Sequence, residues 1–453
     1  MKKLFALLFF LSLSLQAQYK ISGEMNPPEK FTWAILYKIE GARQVFIKSS
    51  TVKKVTKGNK TVGAFNFTLA NDAKIGTYRV SYKTEGSGFV DFLFNKEKEI
   101  SFSFNPNKAE ETVEFSKSVE NKLYQEYTRT VAVEQFKTDS LQIAYIKNPN
   151  TNLTKLYQTQ LAKIAALQKE YVHKSKGKMA GDFIKATNRY NRPVLAKNGQ
   201  EYMKTVIGHF FDTVDFSNTS LYNSAFIIDR ITEYIFYMNY SDDAKTQNSL
   251  HKKAVETVFN KAKDIAFKRD IIEYVMTQFV NYRKIDFADY LMKTYYKKLP
   301  VTVQNKEFVT SFNEKTVVSI GRTAPEITWK EKGKDYKLST LNEAKNYVLV
   351  FWSTGCSHCL REIPMLYTYT QNSKNTKVIA FSLENNDKEW KKHIQKYPKW
   401  HNVIGLKKWE NPTARTYQIY STPTYLILDK DKKIIAKPET LNEVKKIVEY
   451  LEQ

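Results

Sequence analysis

Cysteine is scarce in this sequence, with only 2 among 453 residues. Small domains stapled by disulfides carry many cysteines in short chains, so the composition excludes a disulfide-stapled scaffold. Both cysteines, Cys356 and Cys359, fall in one Cys-x-x-Cys segment. We therefore expect any thiol chemistry of the chain to centre on this pair.

Long apolar runs are also rare. The run from Leu4 to Leu15 follows Lys2 and Lys3 and is too short for a helix to cross about 30 Å of hydrocarbon. Ala17 supplies a small residue for cleavage, so residues 1–18 are predicted to be a signal peptide, with an uncleaved anchor as the alternative. No cysteine comes directly after the run, which excludes a lipid-modified cysteine at the cleavage site. We expect an exported protein of the periplasm or cell envelope, where cysteine pairs can form.

Acidic residues are too few to balance the basic ones, and the formal net charge is +24. Nucleic-acid-binding proteins concentrate such charge on one face or helix, whereas here the basic residues are spread along the chain and are mostly Lys. A solvated surface is favoured over a nucleic-acid partner. Weak peripheral association with an anionic envelope surface stays open.

The length and a hydrophobic content of 42% exclude general disorder and favour several domains. Residues 19–117 show short alternating runs separated by turn residues, which predicts an antiparallel β-sandwich. The predicted strands are Tyr19 to Met25, Trp33 to Ile39, Val45 to Ser49, Ala64 to Leu69, Tyr78 to Tyr82, Phe89 to Phe94, Ile100 to Phe104 and Thr112 to Phe115. No paired carboxylates, His cluster or phosphate loop appears there, so a structural or docking module is expected.

Residues 118–317 change to helical periodicity and predict an all-α domain. The apolar positions that carry this pattern are Leu153, Leu156, Tyr157, Leu161, Ile164 and Leu167. Aromatic pairs such as Phe210-Phe211 are expected to fill contacts between helices. The histidines of this segment are scattered without a second ligand at helical spacing, so no metal site is assigned.

Residues 318–453 carry the chemistry in an α/β pattern. The run Asn346 to Trp352 predicts a buried strand, and a helix is predicted to begin at Cys356. Unpaired N–H groups and the helix dipole at that position favour the thiolate of Cys356, which becomes the nucleophile, and Cys359 resolves the mixed disulfide. His358 could stabilise the thiolate as a cation or could be a solvated surface residue.

The Cys-x-x-Cys segment fits a zinc knuckle or a peroxidase site less well. A zinc knuckle needs two further Cys or His ligands at suitable spacing, and none follows. A peroxidase motif of the Pro-x-x-x-Thr-x-x-Cys kind does not precede Cys356. No cofactor is predicted. Pro423 stands just before the predicted strand Tyr425 to Asp429, and a cis bond there would bring the backbone of Thr422 beside the cysteines.

This C-terminal part resembles the thioredoxin-fold domains of the TlpA/ResA type, which are envelope thiol-disulfide oxidoreductases. The resemblance covers about residues 319–453 and depends on Gly321-Arg322-Thr323-Ala324-Pro325, Phe351-Trp352, Cys356 to Cys359, Glu362, Pro364 and Thr422-Pro423-Thr424. It implies a redox pair of Cys356 and Cys359, a cis-proline at Pro423 that orients an incoming disulfide, and a helix kink at Pro364. It also implies that Glu362 is a buried carboxylate that tunes proton transfer. Thr422 and Trp352 would border the bound substrate.

Three departures from that family affect the expected redox potential. Val350 stands where ordinary thioredoxins have a buried Asp, and Gly355 stands where many relatives have Trp. Ser357 and His358 replace the common Gly-Pro between the cysteines.

The N-terminal parts have weaker resemblances. Residues 19–117 resemble the DUF4369-type module found ahead of thioredoxin domains in Bacteroidetes envelope proteins, through Gly63-Ala64-Phe65 and Gly76-Thr77-Tyr78. The segment from His209 to Ser217 resembles a DUF5106-type helical domain. Neither resemblance implies an activity.

The sequence therefore predicts an exported thiol-disulfide oxidoreductase that reduces protein disulfides and receives electrons from a membrane thiol donor. An oxidase or isomerase of the same fold is one alternative. The other is an envelope binding or scaffold protein whose thioredoxin domain recruits thiol partners.

Overall fold

The structure is a computed structural model that describes residues 18–28, 31–83 and 88–453. The signal peptide predicted at residues 1–18 lies outside this range except for its last residue. The chain divides into two compact units, one ending at Ile271 and the other beginning at Ile272.

The first unit opens with a region rich in β-strands. Its strands are β1 (Tyr19–Met25), β2 (Trp33–Glu40), β3 (Arg43–Thr51), β4 (Lys53–Lys57), β5 (Lys60–Leu69), β6 (Gly76–Ser81), β7 (Phe89–Phe94), β8 (Glu99–Phe104) and, after the short helix α1 (Ala109–Thr112), β9 (Glu114–Lys117). They form two sheets in the orders β4-β5-β1-β8-β9 and β3-β2-β6-β7.

The two sheets bury their apolar faces in one shared core, as expected for a sandwich. Ile21, Phe65 and Phe102 come from one sheet, and Leu36 and Phe92 come from the other. Alternate residues of each strand reach this core because successive side chains point to opposite faces.

Two details of the predicted sandwich are wrong. The strands are not all antiparallel, since β1 pairs with β8 in parallel. The strand predicted from Thr112 to Phe115 is instead the end of α1 followed by β9, with Val113 between them. The other predicted strands are present, with ends that differ by a few residues.

A helical region follows the sandwich and confirms the predicted all-α segment. Its helices are α2 (Val119–Lys147), α3 (Thr151–Lys174), α4 (Ala180–Thr187), α5 (Gly199–Gly208), α6 (Thr219–Tyr222), α7 (Ala225–Thr232), α8 (Ala244–Lys261), α9 (Ile265–Asn281), α10 (Ile285–Thr294) and α11 (Lys306–Thr316). Helix α9 runs across the boundary between the two units.

The predicted aromatic contacts in this region are present. The Phe210 and Phe211 rings lie 5.4 and 4.7 Å from the ring of Tyr234. The apolar face of α3 is narrower than its sequence suggests, because Tyr157, Ile164 and Tyr171 are buried whereas Leu156 is exposed.

The second unit contains the α/β domain. After a hairpin of β10 (Thr328–Glu331) and β11 (Lys334–Lys337) come β12 (Asn346–Trp352), α12 (Ser357–Thr370), β13 (Thr376–Glu384), α13 (Lys388–Ile394), β14 (His401–Leu406), α14 (Pro412–Thr416), β15 (Thr424–Asp429), β16 (Ile434–Ala436) and α15 (Leu441–Glu452). The five-stranded sheet has the order β14-β13-β12-β15-β16. Strand β12 pairs in parallel with β13 and antiparallel with β15.

Strand β12 is buried along its whole length because both faces of the sheet are covered. Val348, Val350 and Trp352 pack on one face with residues of α12 and α15. Leu349 and Phe351 pack on the other face in a separate core. The carboxyl end of this rigid central strand leads directly into the cysteine segment.

Within the described part of the chain, the helices lack the length and apolar character needed to span a bilayer.

Candidate functional site

The loop after β12 carries the first cysteine to the start of a helix. Cys356 is the N-cap residue of α12, and its Sγ accepts a hydrogen bond from the backbone N–H of Cys359 at 3.2 Å. A sulfur at this position lies at the positive end of the helix dipole, which stabilises a thiolate. Pro364 lies inside the same helix, where the resemblance expects it.

The two thiols differ in exposure and in acidity. Cys356 is partly exposed and Cys359 is fully buried. Burial raises the pKa of Cys356, but hydrogen bonds from the Cys359 thiol, the Thr422 side chain and nearby backbone N–H groups outweigh it, so the pKa lies below the ordinary thiol value. Burial, followed by the hydrogen bond with Cys356, raises the pKa of Cys359 to about 12. At neutral pH the site thus presents one reactive and one shielded sulfur.

The segment before β15 closes the site from the other side. The Thr422–Pro423 peptide bond is cis, which confirms the geometry predicted from the sequence. The Cys356 thiol donates a hydrogen bond to the Thr422 carbonyl oxygen at a Sγ···O distance of 3.3 Å. This carbonyl therefore lies directly beside the sulfur.

Glu362 lies one turn after Cys359 on α12. It is half-buried, so the expectation of a buried carboxylate is wrong in that respect. Its Oε2 accepts a hydrogen bond of 2.9 Å from the hydroxyl of Tyr425, which is 1% exposed. Tyr425 is a residue of the site that sequence reasoning missed, because nothing in its spacing marks a contact between β15 and α12.

His358 is exposed, which agrees with the second of its two interpretations, a solvated surface residue. Its Nδ1 lies 2.7 Å from Nη2 of Arg361. A guanidinium group only donates hydrogen bonds, so Nδ1 must accept and carries no proton in this arrangement. The Arg361 guanidinium supplies the positive charge of this pair.

Trp352 lies in the same apolar core as Cys359, under the cysteine segment, and is 1% exposed. This burial agrees with the expectation that it packs near the site, but it leaves little surface for contact with a substrate.

Sequence reasoning also missed Glu384 and Lys408. The buried Glu384 accepts hydrogen bonds from Thr354, just before Cys356. The ammonium of Lys408 lies 3.9 Å from the position that a side chain at Gly355 would occupy. Glu384 at the end of β13 and Lys408 after β14 are both distant in sequence from the cysteines, so no local signal marks either of them.

In the described residues, no group of His, Cys, Asp and Glu side chains has the arrangement of a metal site. Two sulfurs on the first turn of a helix, one acidic and one shielded, are suited to reversible thiol-disulfide exchange. The fold and this pair define a thioredoxin-like dithiol site.

Comparison with known proteins supports this class. Residues 344–434 match the family model described as thioredoxin-like. The thiol-disulfide oxidoreductase ResA of Geobacillus thermodenitrificans is 27% identical over 154 residues, which are 32% of this chain and 84% of that protein. ResA of Geobacillus kaustophilus is 26% identical over 151 residues, which are 32% of this chain and 84% of that protein.

Among solved structures, one described as "a domain of possible thiol-disulfide isomerase" from Cytophaga hutchinsonii is 33% identical. The similarity covers 29% of this chain and 92% of that one, with a TM-score of 0.26. The thioredoxin domain of a thiol-disulfide oxidoreductase from Bacteroides vulgatus is 26% identical, with 30% and 99% covered and a TM-score of 0.27.

The C-terminal domain is therefore thioredoxin-like and homologous to the thiol-disulfide oxidoreductase ResA. The family model covers only residues 344–434. The resemblances of residues 19–117 and 118–317, and the domain boundaries, remain predictions.

Proposed function

We propose that the protein is an exported protein-disulfide reductase that acts through Cys356 and Cys359. The observation that carries the proposal is the asymmetry of the two thiols: Cys356 has a lowered pKa and is accessible, whereas Cys359 has a raised pKa and is buried. A nucleophile and a shielded resolving thiol are what a two-step exchange requires.

In the first step the Cys356 thiolate attacks one sulfur of a substrate disulfide. A bond forms between Cys356 Sγ and that sulfur, and the other substrate sulfur leaves as a thiolate. The N–H of Cys359, 3.2 Å from Sγ, stabilises the attacking thiolate until it reacts.

In the second step Cys359 loses its proton and attacks Cys356 Sγ. The bond between Cys356 Sγ and the substrate sulfur breaks, and that substrate sulfur leaves as a thiolate with the electron pair of the bond. Two electrons have passed from the dithiol to the substrate, and Cys356 and Cys359 are joined in a disulfide. A membrane thiol donor is proposed to reduce it again, and the cis peptide at Pro423 is proposed to orient the incoming disulfide.

A trapping experiment tests this function. The full chain is assayed for reduction of a protein disulfide, insulin, with dithiothreitol as donor. We expect Cys356→Ala to abolish turnover and Cys359→Ser to accumulate mixed disulfides through Cys356. Turnover that survives in Cys356→Ala would show that the mechanism is wrong.

The reduction potential of the pair decides the direction of exchange. A value of about −300 mV supports a reductase, whereas about −120 mV is that of an oxidant and contradicts the proposal. Export is tested separately by fractionating cells and sequencing the N-terminus of the mature protein, which is expected to lack residues 1–18. Retention of the uncleaved chain in the cytoplasm would contradict the proposed location.

A further inference from the structure

The resolving step raises a proton problem. Cys359 is 0% exposed and its pKa is raised to about 12, so water has poor access to its proton and little thiolate exists at neutral pH. The buried face of β12 offers no carboxylate under the pair, because its residues there are Val348, Val350 and Trp352. A proton acceptor must therefore come from another element.

Glu362 supplies a carboxylate on the helix that carries Cys359. It follows Cys359 by three residues on α12, and residues at this spacing lie on the same face of a helix. Its half-buried position leaves it in contact with solvent, to which it can pass the proton on. A free glutamate at such a position would be able to rotate away from the helix, because its side chain has several rotatable bonds.

The hydroxyl of Tyr425 opposes this rotation through a hydrogen bond to the carboxylate. In the sheet Tyr425 lies directly opposite Val350, so its side chain stands on the face of the sheet that packs against α12. Its hydroxyl donates to Glu362 Oε2 at 2.9 Å. The ring is 1% exposed and belongs to the same core as Cys359, so the hydroxyl has a fixed position.

The electrostatic surroundings agree with this arrangement. Burial, the hydrogen bond to Glu362 and the negative charges of Glu362, Cys359 and Cys356 raise the pKa of Tyr425 above its ordinary value. The phenol thus stays protonated and remains a donor throughout the cycle. The titratable groups around it are Cys356, Cys359 and Glu362 from α12.

We propose that Tyr425 is a positioning residue that holds the Glu362 carboxylate in place to accept the proton of Cys359 during the resolving step. This inference deepens the proposed function and rests on it. As Cys359 Sγ bonds to Cys356 Sγ, the proton of Cys359 passes to Glu362, the bond from Cys356 to the leaving sulfur breaks, and that sulfur departs as a thiolate. No other oxidant or reductant is needed.

A small aromatic disulfide separates the two steps. The reduced full-length protein is mixed with 5,5′-dithiobis(2-nitrobenzoate), and release of the coloured thiolate is followed. The first equivalent reports attack by Cys356, and the second reports attack by Cys359 on the mixed disulfide. Tyr425→Phe removes only the hydroxyl and keeps the ring in the core.

We expect Tyr425→Phe to slow the second phase about 10-fold and to change the rate of the first phase by less than about twofold. The loss is smaller than the rate factor of about 10²–10⁴ that a positioned proton acceptor contributes, because Glu362 itself remains. Glu362→Gln should slow the second phase at least as much. The double variant should be no slower than Glu362→Gln alone, because the tyrosine acts through the glutamate.

Tyr417→Phe is the matched control. Tyr417 is also buried and donates to the Pro325 carbonyl oxygen, but it packs in the core on the other face of the sheet. It should leave both phases unchanged. A second phase in Tyr425→Phe that equals wild type from about pH 5 to pH 9, or a double variant with additive effects, would overturn the inference. If two phases respond as expected while insulin is not turned over, the proposed function fails and the inference stands.

Discussion

Glu384, the last residue of β13, accepts hydrogen bonds from both the backbone N–H and the hydroxyl of Thr354, at 2.6 and 2.9 Å. The Ser382 hydroxyl donates to the same carboxylate at 2.6 Å. Glu384 is buried, and Thr354 comes just before Gly355 and Cys356. One side chain of the neighbouring strand therefore fixes the loop that carries the nucleophilic sulfur.

Glu384→Ala should loosen this loop. The Thr354 N–H loses its acceptor, and an unsatisfied group of this kind costs about 1–3 kcal/mol of the free energy of unfolding. We also expect slower alkylation of Cys356 at neutral pH, because a mobile loop no longer holds its sulfur at the start of α12, where the thiolate is stabilised. Urea unfolding and the rate of reaction with iodoacetamide measure the two effects.

Glu384→Gln should restore most of the loss, since its amide oxygen can accept from the Thr354 N–H and the Thr354 hydroxyl can rotate to accept from the amide. Glu410→Ala is the control, because this carboxylate is on the surface of the same domain. Equal unfolding curves for Glu384→Ala and Glu410→Ala would contradict the role given to Glu384.

Gly405 on β14 is required by packing. A Cβ at this position would lie 2.3 Å from Cε1 of Phe381, whose buried ring packs against Phe351 at a centroid distance of 5.2 Å and cannot move freely. Gly405→Ala should lower the free energy of unfolding by about 1–3 kcal/mol, the usual cost of overpacking.

Gly355→Ala in the same domain is the control, because the atom nearest to its added Cβ is 3.8 Å away. This variant should unfold at the urea concentration of the wild type. If both glycine variants lose the same stability, the contact with Phe381 is not the cause.

Local features of the sequence predicted most of the site. Patterns among residues adjacent in the chain predicted three features: the strand Asn346–Trp352, the helix that follows Cys356, and the proline before the next strand, Pro423. Strand His401–Leu406 escaped prediction because it begins with His401 and Asn402, which are polar, and contains Gly405. The hairpin β10–β11 escaped because charged residues dominate it.

Contacts between distant segments account for the remaining errors. The bond between Tyr425 and Glu362, and that between Glu384 and Thr354, join elements that only the folded sheet brings together. The parallel pairing of β1 with β8 likewise depends on sheet order, which alternation within a strand does not encode.

Buried tyrosines should make the protein sensitive to alkali. Burial raises the pKa of Tyr78 and of Tyr82 to about 12 from an ordinary value of 10.0. A group whose pKa is raised on folding contributes stability that is complete below its unfolded pKa and is lost as the pH rises through the folded value. Stability should thus fall between about pH 10 and pH 12, by about 2 kcal/mol for each such tyrosine.

Tyr82→Phe tests the attribution. At pH 8 it should be slightly less stable than wild type, because the Tyr82 hydroxyl donates to the Pro106 carbonyl oxygen at 3.0 Å. Between pH 8 and pH 11 it should lose less stability than wild type, as measured by urea unfolding. An identical loss in both proteins would mean that Tyr82 does not contribute to the alkaline transition.

The two thiols should titrate far apart. Burial, followed by the bond with Cys356, places the pKa of Cys359 at about 12, whereas that of Cys356 lies below the ordinary value. With iodoacetamide at pH 7, the variant Cys359→Ala, which keeps Cys356, should react at least about 100-fold faster than Cys356→Ala, which keeps Cys359. Because the hydrogen bond between the two thiols is absent from both variants, the difference in their rates measures only burial and position on the helix.

The reactivity of Cys356→Ala should rise only above pH 9. The Cys359→Ala variant should react without urea, because Cys356 is already partly exposed. In urea the two variants should react at equal rates, which serves as the control. If they also react at equal rates in the native state, the asymmetry on which the mechanism depends is absent.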